Sequence, residues 1–133
     1  EFIECLKSIE GFSHIILIYH FHKSLDYQLL VKPFLDLNRH GVFATRAPQR
    51  PNQIGLSVVR LIEQVDHILY VENLDILNET PLLDIKPFVP EFDAAEKIRI
   101  GWLESSKHKI AGMRNDGRFE NKYKMKDDEL EKK

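Results

Sequence analysis

Hydrophobic and polar positions along this chain follow two periods, and the shorter one dominates. Phe2, Leu6 and Ile9 recur at helical spacing and Gly11 supplies a stop, which predicts a short helix over the first ten residues. His14 to Phe21 (HIILIYHF) is a compact β-branched and aromatic run, too short for a buried helix and suited to a buried strand. Leu29 to Val31 reads as a second strand closed by Pro33. Gly41 to Thr45 reads as a third, running into an extended loop from Arg46 to Gln53. Ile54 to Val65 then alternates, with Ile54, Leu56, Val58 and Ile62 on one face and Arg60 interrupting the stripe. Further strands are predicted at Ile68 to Leu74, Leu82 to Ile85 and Ile98 to Leu103.

Short strands divided by turn signals, with no alternation of strand and long helix, predict a mainly β fold: a small antiparallel β-barrel with short helices. At 133 residues the chain is one domain, long enough to bury a core. Its boundary is placed at residues 1–113. Of the last twenty residues, seven are Lys or Arg and six are Asp or Glu, so 114–133 is expected to be a charged helix or tail without chemistry. The chain begins with Glu1 inside an apolar-periodic segment, and the expectation is that an N-terminal segment is missing.

Composition narrows the function. Hydrophobic residues make up 43% and charged residues 30%, a globular balance rather than a disordered one. No apolar run approaches the roughly 20 residues that span a bilayer, and no signal peptide is visible, so a cytoplasmic protein without a membrane partner is expected. The single cysteine, Cys5, excludes an internal disulfide framework and a cysteine-built zinc site. A formal net charge of −2 restricts any nucleic-acid contact to a local patch.

Three segments hold candidate chemistry. The first, GVFATRAPQRPNQIG (Gly41 to Gly55), sets Arg46 and Arg50 beside Gln49 and Asn52 in a loop stiffened by Pro48 and Pro51. Stiff backbone lowers the entropy lost on holding side chains for a ligand, and guanidinium forks suit phosphate and carboxylate. The plain alternative is a solvated turn. The second, LDILNETPLLDIKPFVP (Leu74 to Pro90), alternates Asp75, Asp84 and Lys86 with apolar residues. On a strand Asp84 and Lys86 share one face, as a functional pair or an ordinary salt bridge. The third is His20 and His22, which on one strand face can hold a metal, although no third ligand of matching spacing is evident and no metal is assigned. There is no nucleophile elbow, glycine-rich phosphate loop or H-E-x-x-H motif, which removes the common hydrolases, kinases and dinucleotide enzymes.

Together these segments resemble the TrmO (TsaA-like) family. That family carries a signature close to G-V-F-A-T-R-S-P-x-R-P-N-P-I-G-L-S-V-V-R-L, which stands here as GVFATRAPQRPNQIGLSVVRL (Gly41 to Leu61). A second segment like L-D-x-L-D-G-T-P-V-L-D-I-K-P-Y-x-P stands as LDILNETPLLDIKPFVP, and GFSHIILIYHFHKS (Gly11 to Ser24) matches the family's G-F-S-H-I strand. The resemblance covers residues 2 to 104 in the expected order. Ala47, Gln53 and Phe88 replace the usual serine, proline and tyrosine. Asn78-Glu79 replaces Asp-Gly, putting glutamate where glycine normally permits a positive φ. The family's N-terminal Pro-x-Gln element has no match.

The resemblance implies a β-barrel methyltransferase that uses S-adenosylmethionine. Its substrate is tRNA bearing N6-threonylcarbamoyladenosine beside the anticodon, and it adds a methyl group to that N6. Cofactor-binding positions carried over by motif are His22, Lys23, Arg46, Leu56, Leu74, Asp75, Ile76 and Leu77. A homodimer is the family-level expectation. For catalysis, a urea-like N6 must lose its proton. Asp84 is the expected base, with Lys86 or Arg50 binding the threonyl carboxylate or a phosphate, and Asn52 grouped with Arg50 on the substrate side. RNA contact is expected at a rim around Arg39, His40, Arg46 and Arg50, reaching the tRNA anticodon loop. A splayed base can stack on Phe43 or Phe88, although Phe43 inside a strand reads better as core. Trp102 and Phe92 read as packing. Two alternatives stand: a non-catalytic RNA-binding barrel, and a methyltransferase acting on a different small acceptor.

Overall fold

The computed structural model describes residues 1–110, so the charged segment from Arg114 onward lies outside the described residues. Strand β1 (His14–His20) buries Ile15, Leu17 and Tyr19 on one face. It is the centre of a four-stranded antiparallel sheet in the order β5-β4-β1-β6, with β4 at Ile54–Val65, β5 at Ile68–Glu72 and β6 at Leu82–Pro87. A separate two-stranded ribbon joins β2 (Leu30–Val31) to β3 (His40–Gly41).

The expected barrel is corrected by this topology: among the described residues the sheet is open. Closure requires its two edges to hydrogen-bond to each other. Here β4 turns into β5 through a two-residue hairpin with Asp66 at φ 52°, a position aspartate tolerates. The chain then leaves β5 at Glu72 and crosses to the far side of β1 before pairing as β6, so β5 and β6 remain edges.

Register fixes which residues look inward. Ile15, Leu17 and Tyr19 oppose Val59, Ser57 and Gly55 of β4. Ile15, Leu17, Tyr19, Val59 and Leu61 form the main core, flanked by Phe21, Leu69, Val71, Ile76 and Ile85. The inward parity of β4 is therefore the one that alternates with Ile54, Leu56, Val58 and Ile62. That second stripe faces out and leaves all four side chains exposed, with Arg60 among them. Gly55 has a packing reason, since a Cβ there would collide with the rings of Tyr19 and Phe21. A second, smaller core of Val31, Val42 and Ala47 sits under the ribbon and the arginine loop.

Several local expectations change. The N-terminal helix is two 3-10 turns, Ile3–Leu6 and Ile9–Gly11, interrupted by Ser8 at φ 69°. Gly41 to Thr45 is a strand only at its first residue. Val42–Ala44 is a 3-10 turn that leaves Phe43 78% exposed, which overturns the core reading. Ile98 to Leu103 is no strand: Gly101 turns the backbone at φ 59° and opens a 3-10 helix, Gly101–Ser106. Phe92, expected to pack, is 84% exposed on the short helix Pro90–Asp93. Among the described residues no helix is long and apolar enough to cross a membrane.

Candidate functional site

The two cores leave a gap between them. Tyr19 of β1 and Phe21 just beyond it, Ala47 from the smaller core, and Phe34, Ile76 and Trp102 from connecting segments line an open cavity of about 840 Å³. That is within the usual volume of a small-molecule site. Tyr19 and Phe21 meet edge to face, ring centroids 5.5 Å apart, and the Tyr19 hydroxyl is 2.9 Å from Ser57 Oγ. The aromatic wall is thereby held in one orientation.

The arginine loop forms the opposite wall, and its order comes from side chains because its backbone has few strand partners. Arg50 donates from Nη1 to the carbonyls of Val42 (3.1 Å), Thr45 (2.8 Å) and Ala47 (3.3 Å). This nitrogen has two hydrogens for three acceptors, so one bond is shared. Thr45 Oγ1 donates to the Val42 carbonyl at 2.9 Å, and Trp102 Nε1 to that of Ala44 at 2.8 Å. Buried Ser24 donates to the Pro48 carbonyl at 3.2 Å, tying the end of β1 to the same loop. Trp102 also stacks on His40, centroids 4.7 Å apart. His40 pairs in turn with Asp36 at 2.8 Å. The backbone N–H of Asn38, with help from His40, holds the Asp36 carboxyl below the usual carboxylate range.

Into this frame the structure brings His22, Lys23, Arg46, Arg50, Asp75, Ile76 and Leu77, from three separate segments of sequence. The side chains of His22, Lys23, Arg46 and Asp75 have no hydrogen bond or ion pair among the described residues, so their polar groups are available to a ligand. Leu56 lines a neighbouring hollow of about 210 Å³ that shares Phe21, Thr45, Arg46 and Arg50 with the main cavity. Leu74 and Asn52 are exposed and line neither.

Asp84 and Lys86 are not brought to the cavity. They oppose Ile18 and Ile16, the outward residues of β1, so strand parity aims both away from Tyr19. Lys86 Nζ lies 2.8 Å from Asp84 Oδ2, and this hydrogen bond holds the Asp84 carboxyl below the usual range, with the Ile85 N–H adding to it. Both side chains are about half exposed. His20 ends β1 and His22 stands in the following turn, so the two do not share a strand face. No cluster of three metal-ligating side chains occurs among the described residues. Tyr19, Phe21, Thr80 and Trp102 are wall residues that sequence reasoning missed. The parity of Tyr19 with Ile15 and Leu17 was the only available signal.

Residues 1–94, which contain both walls apart from Trp102 and Leu103, match the model of the tRNA-methyltransferase O N-terminal domain. The chain belongs to the TrmO family. It is similar to a probable S-adenosyl-L-methionine-binding protein of Pyrococcus abyssi, 62% identical over 119 residues, covering 90% of this chain and 65% of that one. The tRNA (adenine(37)-N6)-methyltransferase of Mus musculus is 37% identical over 98 residues, 71% of this chain and 23% of that one. The crystal structure of TrmO from Pseudomonas aeruginosa superimposes with a TM-score of 0.61 at 41% identity, covering 75% of this chain and 42% of that chain. In each case the chain spans less than two thirds of its relative's length. The TrmO resemblance read from Gly41 to Leu61 and Leu74 to Pro90 is thus confirmed at the level of the family.

Proposed function

We propose that this TrmO domain binds S-adenosylmethionine in the cavity and methylates N6 of threonylcarbamoyladenosine next to the tRNA anticodon, in the cytoplasm. The observation that carries the reading is the lining set: Arg46, Lys23, His22 and Asp75 with the aromatic rings of Tyr19 and Phe21 around one cavity. The cofactor's carboxylate suits Arg46 or Lys23, its ammonium or ribose hydroxyls suit Asp75, and its adenine suits the aromatic wall. When bound, S-adenosylmethionine supplies an electrophilic methyl on a sulfonium. The domain's own work is positioning, because in-line displacement depends on alignment.

The acceptor N6 must also surrender a proton. We assign that role to a group lining the cavity, with His22 and Asp75 as the two available acceptors, and not to Asp84, which lies on the opposite side of the sheet. The homodimer remains part of the proposal. The outward stripe of Ile54, Leu56 and Val58, with Ile62 beyond Arg60, is the surface we assign to the second copy, because exposed apolar side chains gathered on one strand face mark an interface. Names of relatives support both ligands: one is called an S-adenosyl-L-methionine-binding protein, another a tRNA (adenine(37)-N6)-methyltransferase.

Calorimetric titration with S-adenosylmethionine tests the cofactor, and nucleoside analysis of treated tRNA tests the acceptor. Saturable binding is expected, weakened about tenfold or more by Arg46→Ala, the loss of one charge-assisted contact. A folded chain that shows no saturable binding overturns the methyltransferase reading in favour of an RNA-binding module.

A further inference from the structure

Phe43 occupies a position that packing does not explain. Its ring is 78% exposed, yet it lines the mouth of the cavity. Single exposed apolar residues are ordinary on protein surfaces, so exposure alone carries no argument. What sets Phe43 apart is how firmly the backbone on both sides is held. Val42 is buried in the smaller core, donates its N–H to the Leu29 carbonyl at 3.0 Å, and accepts at its own carbonyl from Arg50 and Thr45. Ala44 accepts from the Trp102 indole. With its neighbours fixed, the ring is presented outward by a rigid turn.

The Arg50 guanidinium carbon lies 5.8 Å from the ring centroid, so the aromatic face has a cation beside it. An aromatic ring flanked by an arginine, at the entrance of a cavity, is the arrangement that captures unstacked bases of single-stranded RNA. Stacking on a π-face adds affinity without adding charge, and Arg46 and Arg50 supply a local cation beside it in a chain of net charge −2.

We infer that Phe43 is the stacking platform for the acceptor nucleobase, holding it at the cavity mouth beside Arg46. The inference rests on the proposed function for the identity of the base. It assigns a positioning role in substrate capture that is separate from cofactor binding.

The test compares Phe43→Ala, Phe43→Leu and Phe43→Trp with the unsubstituted chain. Two RNA probes are used: an anticodon stem-loop carrying threonylcarbamoyladenosine, and the same stem-loop with 2-aminopurine at the acceptor position. Because the ring is exposed, all variants are expected to keep the parent melting temperature. Phe43→Ala and Phe43→Leu should lose about 10- to 100-fold in kcat/KM for the first probe, and Phe43→Trp should stay within about threefold of the parent. Quenching of 2-aminopurine should vanish with Ala and persist with Trp, while affinity for S-adenosylmethionine stays unchanged.

The inference is overturned by equal activity and quenching in all variants, by rescue by Leu as complete as by Trp, or by loss of cofactor affinity with Ala. Conversion of a dimer to monomers by Phe43→Ala in sedimentation also overturns it, since the ring would then face a second copy. Quenching reads the platform even without turnover. A chain that quenches the probe and methylates nothing therefore refutes the proposed reaction and leaves Phe43 standing.

Discussion

The loop from Gly41 to Gln53 and strand β6 both place charged side chains among prolines, and the fold uses them in opposite ways. In β6 one side of the backbone pairs with β1, and Asp84 and Lys86 meet each other at the surface, with Asp84 also accepting from the neighbouring Ile85 N–H. In the loop the carbonyls of Val42, Thr45 and Ala47 have no strand to pair with, and an unpaired buried carbonyl is costly. Arg50 donates to all three, whereas Arg46 makes no such bond and is the arginine we propose for the cofactor. On that proposal two arginines four residues apart divide the labour, one building the wall and one presenting charge from it. In the strand, parity alone decides what a charged residue can reach.

The largest expected effect breaks the wall. Arg50→Ala removes the shared donor of three carbonyls, and hydrogen bonds to a charged group are worth enough that about 2–4 kcal/mol of stability should be lost. Urea denaturation measures it as a lower midpoint at unchanged slope. Arg46→Ala, which removes no internal bond, should stay within about 0.5 kcal/mol of the parent while cofactor affinity falls. Equal destabilisation by the two variants would erase the division of labour.

Sequence reading reached the strands more surely than the site, and the reason is physical. Residues 14–20 and 54–65 have the period and the β-branched content that local rules detect, and β4 runs over the predicted bounds. The same reading could not tell which face of β4 was inward. Ile54, Leu56 and Val58 are as apolar as Val59 and Leu61, and only pairing with β1 distinguishes them. Phe43 differs for a related reason: GVFAT is strand-like in composition, but Thr45 closes it into a turn on the Val42 carbonyl, and the further donors that hold the turn, Arg50 and Trp102, lie 7 and 59 residues beyond Phe43. Arg46, His22 and Asp75, which motif resemblance carried over as cofactor-binding positions, line the cavity. For Asp84 and Lys86 it supplied only position in a signature, and register sends them elsewhere.

The next effect concerns the turn that leads from the cavity lining into β6. Glu79 follows Asn78 in the turn that leads into β6 and adopts φ 61°, the left-handed conformation that a side chain resists. Thr80 closes the turn through its N–H and its hydroxyl, both to the Leu77 carbonyl, at 3.3 and 2.7 Å. Expecting glycine here was correct in geometry, and the chain tolerates glutamate at a cost. Glu79→Gly should raise stability by up to about 1 kcal/mol, the relieved strain being partly offset by glycine's greater freedom in the unfolded chain. Thermal melts check it. A loss of stability would mean that the Glu79 side chain contributes more than its backbone costs.

The smallest effect is expected at the pair that sequence reading placed at the centre of catalysis. Asp84→Asn removes a carboxylate that faces solvent on the outer side of the sheet, so methyl transfer at neutral pH should not change measurably. Its consequence is confined to acid. The Lys86 hydrogen bond lowers the folded pKa of Asp84 below its unfolded value. The stabilisation is therefore complete above the unfolded value, near pH 4, and is lost as pH falls through the folded one. In the variant this part of the acid limb should be flatter, with stability above pH 5 little altered because an exposed pair is screened. Denaturant melts from pH 2 to 7 resolve the difference. A collapse of turnover with intact folding would instead return Asp84 to the reaction. Because register points the carboxylate away from Tyr19, that result would require the acceptor base to approach from the outer face of β1 and β6, not from the cavity.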